Sequence, residues 1–160
     1  MAVNAYLKID GLDGPSTSRP SHIDILSFSI GASQVATYQA GASGYEAKAG
    51  RADLNNLSIM KVTDKTTPLL FDHCVTGNIL KKVTLVYDKP IGDKQEDYFK
   101  IELDDALITS QQLSGSSENP TESISFAFQK IHVAYAAEKD DGSLAAFLPK
   151  GFDLSTLKPC

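Results

Sequence analysis

The sequence predicts a mainly β fold, a small closed or strongly coiled β-barrel with one short flanking α-helix and a long extended loop. Apolar residues alternate with polar ones along most regular segments of the chain, which is the pattern of half-buried strands. This alternation changes phase inside two segments, as it does where a β-bulge bends a strand around a small barrel. Apolar residues at helical spacing predict the single helix near residues 66–76.

Length and charge limit the classes of protein to consider. The 160 residues, 42% of them hydrophobic, suffice for an ordinary core, and we expect a single domain over residues 1–160. The net charge is −5 and the lysines and arginines are scattered, so we expect no nucleic-acid partner. No apolar run approaches the roughly 20 residues of a membrane span, and the N-terminus has no Sec signal pattern. We therefore expect a soluble protein that is made in the cytoplasm.

The first two predicted strands differ in regularity. Residues 3–9 alternate simply, with Val3, Ala5, Leu7 and Ile9 on one face. Residues 22–33 switch from odd-numbered to even-numbered apolar positions after Ile25. From there on, one face carries only small uncharged residues, which border water without projecting far into it. The predicted core face then holds Leu26, Phe28 and Ile30, and the opposite face holds Ser27, Ser29, Gly31 and Ser33.

Residues 37–50 are rich in glycine and alanine and show little periodicity, so they predict a long loop. Structureless loops of this length are uncommon inside compact domains and are often functional. Two interpretations remain open at this point. The segment is either a surface loop without a partner or an interaction segment that Tyr38 and Tyr45 anchor against another surface.

Residues 54–62 and the segment after them predict a strand followed by a short helix. The strand carries Leu57 and Ile59 on one face and Met60 and Val62 on the other, so we expect both faces to be covered. The helix is expected to begin with a threonine hydroxyl cap before Pro68 and to end at Gly77-Asn78. Its apolar stripe pairs Leu70 with Cys74 and Phe71 with Val75, and this stripe must pack on a sheet or plug the end of a barrel.

The second half of the chain predicts further strands separated by polar connections. A strand over residues 83–87 is followed by a polar turn over residues 88–96 and by a strand with Phe99, Ile101 and Leu103 on one face. Residues 111–121 are rich in serine and predict a flexible connection. Residues 122–135 predict one long strand whose apolar phase changes. The even-numbered set is Ile124, Phe126 and Phe128, and the odd-numbered set is Ile131, Val133 and Tyr135.

Candidate catalytic residues do not form a recognisable motif. The three histidines, His22, His73 and His132, lie on different predicted elements with no serine or carboxylate in a catalytic pattern. Asp104 and Asp105 are adjacent on a strand and therefore point to opposite faces. We predict no catalytic, cofactor-binding or metal-binding residue, and hence no enzyme and no cofactor.

The two cysteines, Cys74 and Cys160, have no metal-ligand spacing and make a poor disulfide framework, so we expect reduced thiols. The pair His73-Cys74 allows a metal or nucleophile interpretation. A cysteine on an apolar helical stripe is more often simply buried, and we favour that interpretation.

Five stretches of the sequence together are specific: MAVNAYLKIDG, IDILSFSIG, KVTDKTTPLLFDHCVTG, SISFAFQKIHVAY and GFDLSTLK. With these stretches the chain resembles the hemolysin-coregulated protein (Hcp) family, which builds the inner tube of bacterial type VI secretion systems. The resemblance covers nearly the whole chain. Many members have tryptophan in the second strand, where this chain has the large apolar residues Phe28 and Ile30 and no tryptophan anywhere.

The resemblance implies a β-barrel flanked by a helix, a homo-hexameric ring with a wide pore, and rings that stack into a tube fired from the cell. The implied partners are the type VI spike protein, the contractile sheath and effector proteins. The implied localisation is cytoplasmic before firing and secreted afterwards, without a cleaved signal peptide. Residues 136–160 are too short for the toxic enzyme that some relatives carry at this end.

In the implied ring, the outward face of the second strand lines the pore and the long loop lies at a subunit interface. The alternative is a small-ligand or effector-binding β-barrel carrier that forms no tube. The pore-facing candidates are Ser27, Ser29 and Gly31, and the interface candidates are Tyr38, Gly41, Gly44, Tyr45, Glu46 and Lys48.

Overall fold

The computed structural model describes residues 4–38, 47–116 and 118–160, which contain twelve strands and one α-helix. The mainly β fold with one short helix is therefore confirmed. In chain order the elements are β1 (Asn4–Ile9), β2 (Ile23–Asp24), β3 (Ser27–Ser29), β4 (Ala32–Tyr38), β5 (Ala47–Leu54), β6 (Leu57–Val62), α1 (Thr67–Thr76), β7 (Ile79–Ile91), β8 (Lys94–Ser114), β9 (Thr121–Ala127), β10 (Lys130–Tyr135), β11 (Leu148–Asp153) and β12 (Lys158–Pro159).

Strand β8 is the element on which the main sheet is built. The sheet runs in the order β12-β11-β10-β8-β7-β1-β2, and a branch of β9, β6 and β3 leaves β8. The first half of β8 pairs with β10 up to Asp104, and the second half pairs with β9 from Leu107 onwards. Asp105 lies between these two regions with a positive φ of 51°. One edge of β8 therefore pairs with two different strands, β10 and β9, because the backbone of β8 leaves the extended conformation at Asp105.

The left-handed conformation of Asp105 gives a testable expectation. This backbone conformation costs an ordinary side chain about 1 to 2 kcal/mol, and β-branched residues tolerate it worst. We expect Asp105→Val to lower the free energy of unfolding by about that amount, whereas Asp105→Gly keeps it. Urea unfolding followed by circular dichroism measures both variants. Equal stability of the two variants would contradict the role of the kink.

No sheet among the described residues closes into a barrel by continuous pairing, so the predicted closure is not confirmed. The segment that was predicted as one strand is divided instead into β2, which pairs with β1, and β3, which pairs with β6. The partner changes between Ile25, whose N–H donates to Ala5 O, and Leu26, whose N–H donates to Met60 O. Leu26 is 61% exposed, so its predicted place in the core is wrong. The chain turns it outward at the change of partner, while Phe28 and Ile30 do pack against the core.

The core lies on one face of this sheet and agrees with most of the predicted alternation. Three aromatic rings from three strands, Phe28, Tyr87 and Phe99, meet at one side of it with ring centroids 5.4 to 6.2 Å apart. Tyr6 is also buried, although it faces away from the core. The fully buried side chains include Leu7, Ile9, Leu57, Ile59, Leu70, Leu85, Ile101, Leu103, Ile124 and Phe126.

The predicted long loop over residues 37–50 is in part a β-hairpin. Its two ends belong to β4 and β5, which pair from Ala32 opposite Leu54 to Tyr38 opposite Ala47. The alternation is missing from the sequence because the two strands pair only with each other. Residues 39–46, which include the candidates Gly41, Gly44, Tyr45 and Glu46, lie outside the described residues.

Three other predicted connections are also corrected. The polar turn was predicted over residues 88–96 but consists of Gly92-Asp93 alone, because the pairing of β7 with β8 continues as far as Ile91 and Lys94. Residues 111–114 belong to β8 and are not part of a flexible connection. Residues 122–135 form two strands, β9 and β10, which pair with different halves of β8. Val133 and Tyr135 on β10 are exposed.

Helix α1 occupies the predicted segment but is attached differently. Thr66 makes no side-chain cap; instead the Asp64 carboxylate accepts the N–H of Thr66 at 2.8 Å and also its hydroxyl. Gly77 ends the helix in the left-handed conformation, as predicted. Leu70 is fully buried, but Phe71 and Val75 are exposed, so only half of the predicted stripe packs on the sheet. Within the described part of the chain, no helix is long and apolar enough to span a membrane.

Strand β6 contains a buried lysine that the alternation pattern did not reveal. Lys61 is fully buried, and its Nζ lies 2.7 Å from Glu122 Oε1, 3.2 Å from Asp64 Oδ1 and 3.2 Å from the Val62 carbonyl oxygen. Glu122 is 1% exposed. The side chain thus connects β6, β9 and the turn that leads into α1.

The outer face of β6 is open, contrary to the prediction that both faces are covered. Met60 and Val62 are 45% and 38% exposed. Nothing in the described part of the chain packs over them, so a single copy leaves an apolar surface in contact with water.

Candidate functional site

The face opposite the core on β3, β6, β9 and the end of β8 is the candidate functional site, and we call it the hydroxyl face. The strand register places its side chains in three rows, two of which cross all four strands, and none of these side chains is charged. The first row is Ser29, Ser58, Ser125 and Ser110, and the second is Ser27, Met60, Ser123 and Gln112. A third row holds Val62, Thr121 and Ser114.

This face forms because small polar residues alternate with buried apolar ones on each strand. On β9, for example, Ser123 and Ser125 flank the fully buried Ile124. On β6, Ser58 and Met60 flank Ile59 in the same way. The core therefore fixes which side chains point outward.

Several of the polar groups on and beside the hydroxyl face form hydrogen bonds with one another. The hydroxyls of Ser58 and Ser125 are 3.0 Å apart, and Thr109 Oγ1 donates to the Ser125 carbonyl oxygen at 3.2 Å. Asn56 Nδ2 in turn donates to Thr109 Oγ1 at 3.2 Å. These hydrogen bonds join uncharged groups, so this part of the face presents a neutral polar surface.

Apolar side chains at one end of the hydroxyl face remain exposed. Met60 and Val62 belong to the face, and Leu26 lies next to it on the strand partner of β6. Leu26 and Val62 line a common depression of about 310 Å³. Grouped exposed apolar residues of this kind are typical of surfaces that contact another molecule.

Two strand edges beside the hydroxyl face have no partner among the described residues. Residues 110–114 of β8 pair with β9 on one edge, while β7 begins opposite Leu107 on the other edge. This stretch contacts α1 through a side chain, since Gln111 Nε2 donates to the Thr67 carbonyl oxygen at 3.3 Å. Strand β3 pairs with β6 on one edge only. An unpaired edge displays free N–H and C=O groups and accepts a strand from another chain.

The β4–β5 hairpin projects from this region as a separate two-stranded ribbon. At its base the Asn55 N–H donates to the Gly31 carbonyl oxygen at 2.9 Å. Seven residues of β4 at the rise of a strand carry the ribbon on the order of 20 Å from that base. Val35 on this ribbon is 63% exposed. An isolated two-stranded hairpin is marginally stable in water, so this ribbon needs a further contact.

The structure describes all three predicted pore candidates and two of the predicted interface candidates, Tyr38 and Lys48. Ser27 and Ser29 are exposed on the hydroxyl face, and Gly31 lies at the base of the hairpin in a depression shared with Ser29 and Ser58. Tyr38 and Lys48 are in β4 and β5. The alternation pattern did not predict that β6, β8 and β9 contribute to the hydroxyl face. The alternation of serine with isoleucine and phenylalanine in residues 123–126 was the signal for them.

The histidines do not converge on a reaction centre. The Nδ1 atom of His22 lies 2.9 Å from the Pro20 carbonyl oxygen, and that of His73 lies 3.3 Å from Asn78 Nδ2. His132 contacts Cys160 on the opposite side of β8 from β7. Among residues 4–38, 47–116 and 118–160, no three His, Cys, Asp or Glu side chains are grouped as metal ligands.

A cleft of about 940 Å³ lies over β1, β7 and the first half of β8. At its floor the Arg19 guanidinium donates to both carboxylate oxygens of Asp97, with Nη2 2.8 Å from Oδ2. This side-chain hydrogen bond raises the pKa of Arg19. The cleft is therefore built around an ion pair that is satisfied within the chain. On the other side of the sheet, side chains fill the space that a ligand-binding barrel would leave open, so the carrier alternative is not favoured.

Comparison with known proteins gives a consistent result. The family model described as type VI secretion system effector, Hcp, matches residues 6–135. Protein hcp1 of Pseudomonas aeruginosa is 32% identical over 147 residues, which cover 89% of each chain. A solved structure of a type six secretion system protein has a TM-score of 0.88 at 27% identity and covers 99% of this chain and 100% of that chain. Hcp1 from Salmonella typhimurium has a TM-score of 0.79 at 25% identity, with both chains covered completely. The chain therefore belongs to the Hcp family of type VI secretion system effectors.

Proposed function

We propose that this chain is a structural tube component of a bacterial type VI secretion system, in which copies form hexameric rings that stack, are secreted and carry effectors in the pore. The observation that carries the proposal is the neutral hydroxyl face flanked by two unpaired strand edges. The family membership of the chain supports the same function. The alternative, a small-ligand or effector-binding carrier that forms no tube, does not account for these unpaired edges.

In the proposed ring, the unpaired edge of β3 in one copy pairs with the unpaired edge of β8 in the neighbouring copy. This pairing with residues 110–114 would be a head-to-tail contact, which closes when the rotation is right. The bulk of each subunit lies behind the sheet, on its core side. A ring of such sheets therefore places the bulk outside and the hydroxyl face inside, where it lines the pore. Residues 23–29 connect β1 to β6, which supports a strongly coiled barrel in each subunit.

The β4–β5 hairpin would extend onto a neighbouring subunit or ring. Its sequence is rich in glycine and alanine, which allow close approach of backbones, and its tyrosines offer large contacts with few rotamers to order. Ordering each residue costs about 1 to 2 kcal/mol, which an isolated ribbon of this composition does not recover. The proposed interface residues remain Tyr38, Gly41, Gly44, Tyr45, Glu46 and Lys48.

The proposal includes the partners and location of the protein. The ring stack would contact the type VI spike protein, the contractile sheath and effector proteins. The chain would be cytoplasmic before firing and secreted through the type VI system without a cleaved signal peptide. We also propose that it has no catalytic activity and no cofactor, which the separation of His22, His73 and His132 supports.

Light scattering of the purified protein together with negative-stain microscopy tests the ring. We expect the mass of six copies and ring-shaped particles at micromolar concentration, because the exposed apolar residues of a single copy favour association. A monomeric mass under these conditions would overturn the proposal.

Enlarging a side chain in the first row of the hydroxyl face tests its role as the pore wall. We expect Ser29→Gln to leave the ring intact and to weaken binding of an effector of the same secretion system, because the longer side chain projects into the pore. Pull-down of that effector by the ring measures the effect, with Thr156→Gln as the matched control in an exposed turn. Unchanged effector binding by a Ser29→Gln ring would contradict the role of this face as the pore wall.

A further inference from the structure

Cys160 and His132 form a thiol–imidazole pair on the outer surface of the main sheet. The Sγ atom of Cys160 lies 3.5 Å from Nε2 of His132, and Cys160 is exposed. The backbone N–H of Cys160 donates to the Gly151 carbonyl oxygen at 3.1 Å, which fixes the residue at the end of β12. His132 on β10 is directly opposite Gly151 on β11. The pair is therefore held by three neighbouring strands.

Gly151 is required for the position of the imidazole. A Cβ atom at residue 151 would lie 2.4 Å from Cδ2 of His132 and 2.8 Å from its Nε2. It would also lie 2.7 Å from the Ile131 carbonyl oxygen, so backbone as well as side chain would have to move. The ring of His132 thus lies across β11, in a space that only glycine leaves free, and from there it reaches Cys160.

The surroundings leave room for a small reactant. A depression of about 240 Å³ is lined by His132 together with Ala134, Phe147 and Pro149, whereas Cys160 lies outside this depression and is exposed to solvent. Its charged residues balance in number, since Lys82 and Lys100 are offset by Glu102 and Asp104. Because Cys160 itself is exposed, a small molecule of either charge can reach its thiol from solvent beside this depression.

We propose that Cys160 and His132 form a thiol-exchange site that takes low-molecular-weight disulfides. The Nε2 atom of His132 accepts the proton of the Cys160 thiol, and the resulting thiolate attacks one sulfur of the small disulfide. The S–S bond of the reagent breaks, its second sulfur leaves as a thiolate, and a mixed disulfide remains on Cys160. The proton on His132 passes to solvent. A second thiol reverses the reaction by attacking the mixed disulfide.

The other cysteine serves as an internal control. Cys74 lies on α1, is half-buried, and packs against the hydrophobic core. A buried thiol among apolar side chains reacts slowly, whereas an exposed thiol beside a proton acceptor reacts fast. The reaction is measured on the Cys160 thiol alone, so its outcome is distinguishable from the outcome of the ring test.

The test uses Cys74→Ser, which leaves Cys160 as the sole thiol, and Cys160→Ser, which leaves Cys74. The rate constant for reaction with dithionitrobenzoate at pH 7 is measured for each folded protein and again in guanidinium chloride. Reduced glutathione in the same solvents corrects for the denaturant. We expect Cys160 to react about tenfold faster in the folded protein than in the unfolded one, since the folded state adds a hydrogen bond that acquires charge. We expect Cys74 to react more slowly when folded.

Histidine variants then assign the effect. In the Cys74→Ser protein, His132→Gln should reduce the folded rate constant of Cys160 to the unfolded value, whereas His22→Gln should leave it unchanged. A folded rate constant for Cys160 no greater than the unfolded one would overturn the proposal. So would a folded His132→Gln protein with the original rate. If His132→Gln does not fold, the comparison of folded and unfolded Cys160 decides the question by itself.

Discussion

Replacing Lys61 by methionine is expected to lower the free energy of unfolding by about 3 to 5 kcal/mol, the usual cost of breaking a buried ion pair from one side. Lys61 is fully buried, and its partner Glu122 is 1% exposed. Without the ammonium group, the Glu122 carboxylate would remain in the interior with its charge uncompensated. A loss of this size is a large part of the stability of a typical domain.

A double variant distinguishes the cost of leaving one buried charge unpaired from the net contribution of the ion pair to stability. Lys61→Met combined with Glu122→Leu removes both charges and keeps the volume of the site, so we expect it to recover most of the lost stability. Urea unfolding at one fixed protein concentration measures all variants, because association would otherwise change the apparent stability.

The matched control is Lys82→Met on the exposed side of the sheet. The Nζ atom of Lys82 lies 3.5 Å from Glu102 Oε2, but the lysine side chain is 45% exposed. Surface pairs of this kind contribute less than about 1 kcal/mol. If Lys61→Met lowers the free energy of unfolding no more than Lys82→Met does, the buried contacts of Lys61 with Glu122 and Asp64 do not stabilise the attachment of α1.

Shortening the β4–β5 hairpin is expected to abolish ring assembly while the subunit stays folded. Ala36 and Ala49 are directly opposite each other, so residues 37–48 can be replaced by Asn-Gly in a two-residue turn that preserves the register below it. The main sheet does not pair with the hairpin, and hence its folding should not depend on the removed part. Light scattering should give a monomeric mass, with the β-type circular dichroism of the parent protein.

A second deletion serves as the control for this experiment. Replacing only residues 39–46 by Asn-Gly keeps the pair of Tyr38 and Ala47, and so retains both strands in full. If this shorter deletion still forms rings and the longer one does not, the strands themselves make the contact. Rings and tubes formed by the longer deletion as by the parent would show that the hairpin has no role in assembly.

The alternation of apolar residues was sufficient to locate most of the strands and the core. Leu7 and Ile9, and likewise Leu57 and Ile59, are buried on the faces that the period of two predicts. The end of α1 was also predictable, because glycine adopts the left-handed conformation at little cost and stops a helix. These features depend on neighbouring residues along the chain, which is why one sequence suffices for them.

The errors share a different origin. Phe71, Val75, Met60 and Val62 are apolar but exposed, because periodicity shows which residues share a face and not whether another element covers that face. The β4–β5 hairpin was predicted as a loop because its sequence shows no regular alternation of apolar and polar residues. Lys61 gave no signal, since its partner Glu122 is 61 residues away in the sequence.

The sequence by itself therefore determined the fold class, the helix, the core strands and the small uncharged residues at Ser27 and Ser29. Only the tertiary structure decided that β8 turns at Asp105 to serve two neighbours, that the serines of four strands form rows, and that two strand edges stay unpaired. Backbone conformation and alternation are local properties of the chain. Strand register, burial of a charge and free edges depend on residues far apart in sequence, and they exist only once the chain has folded.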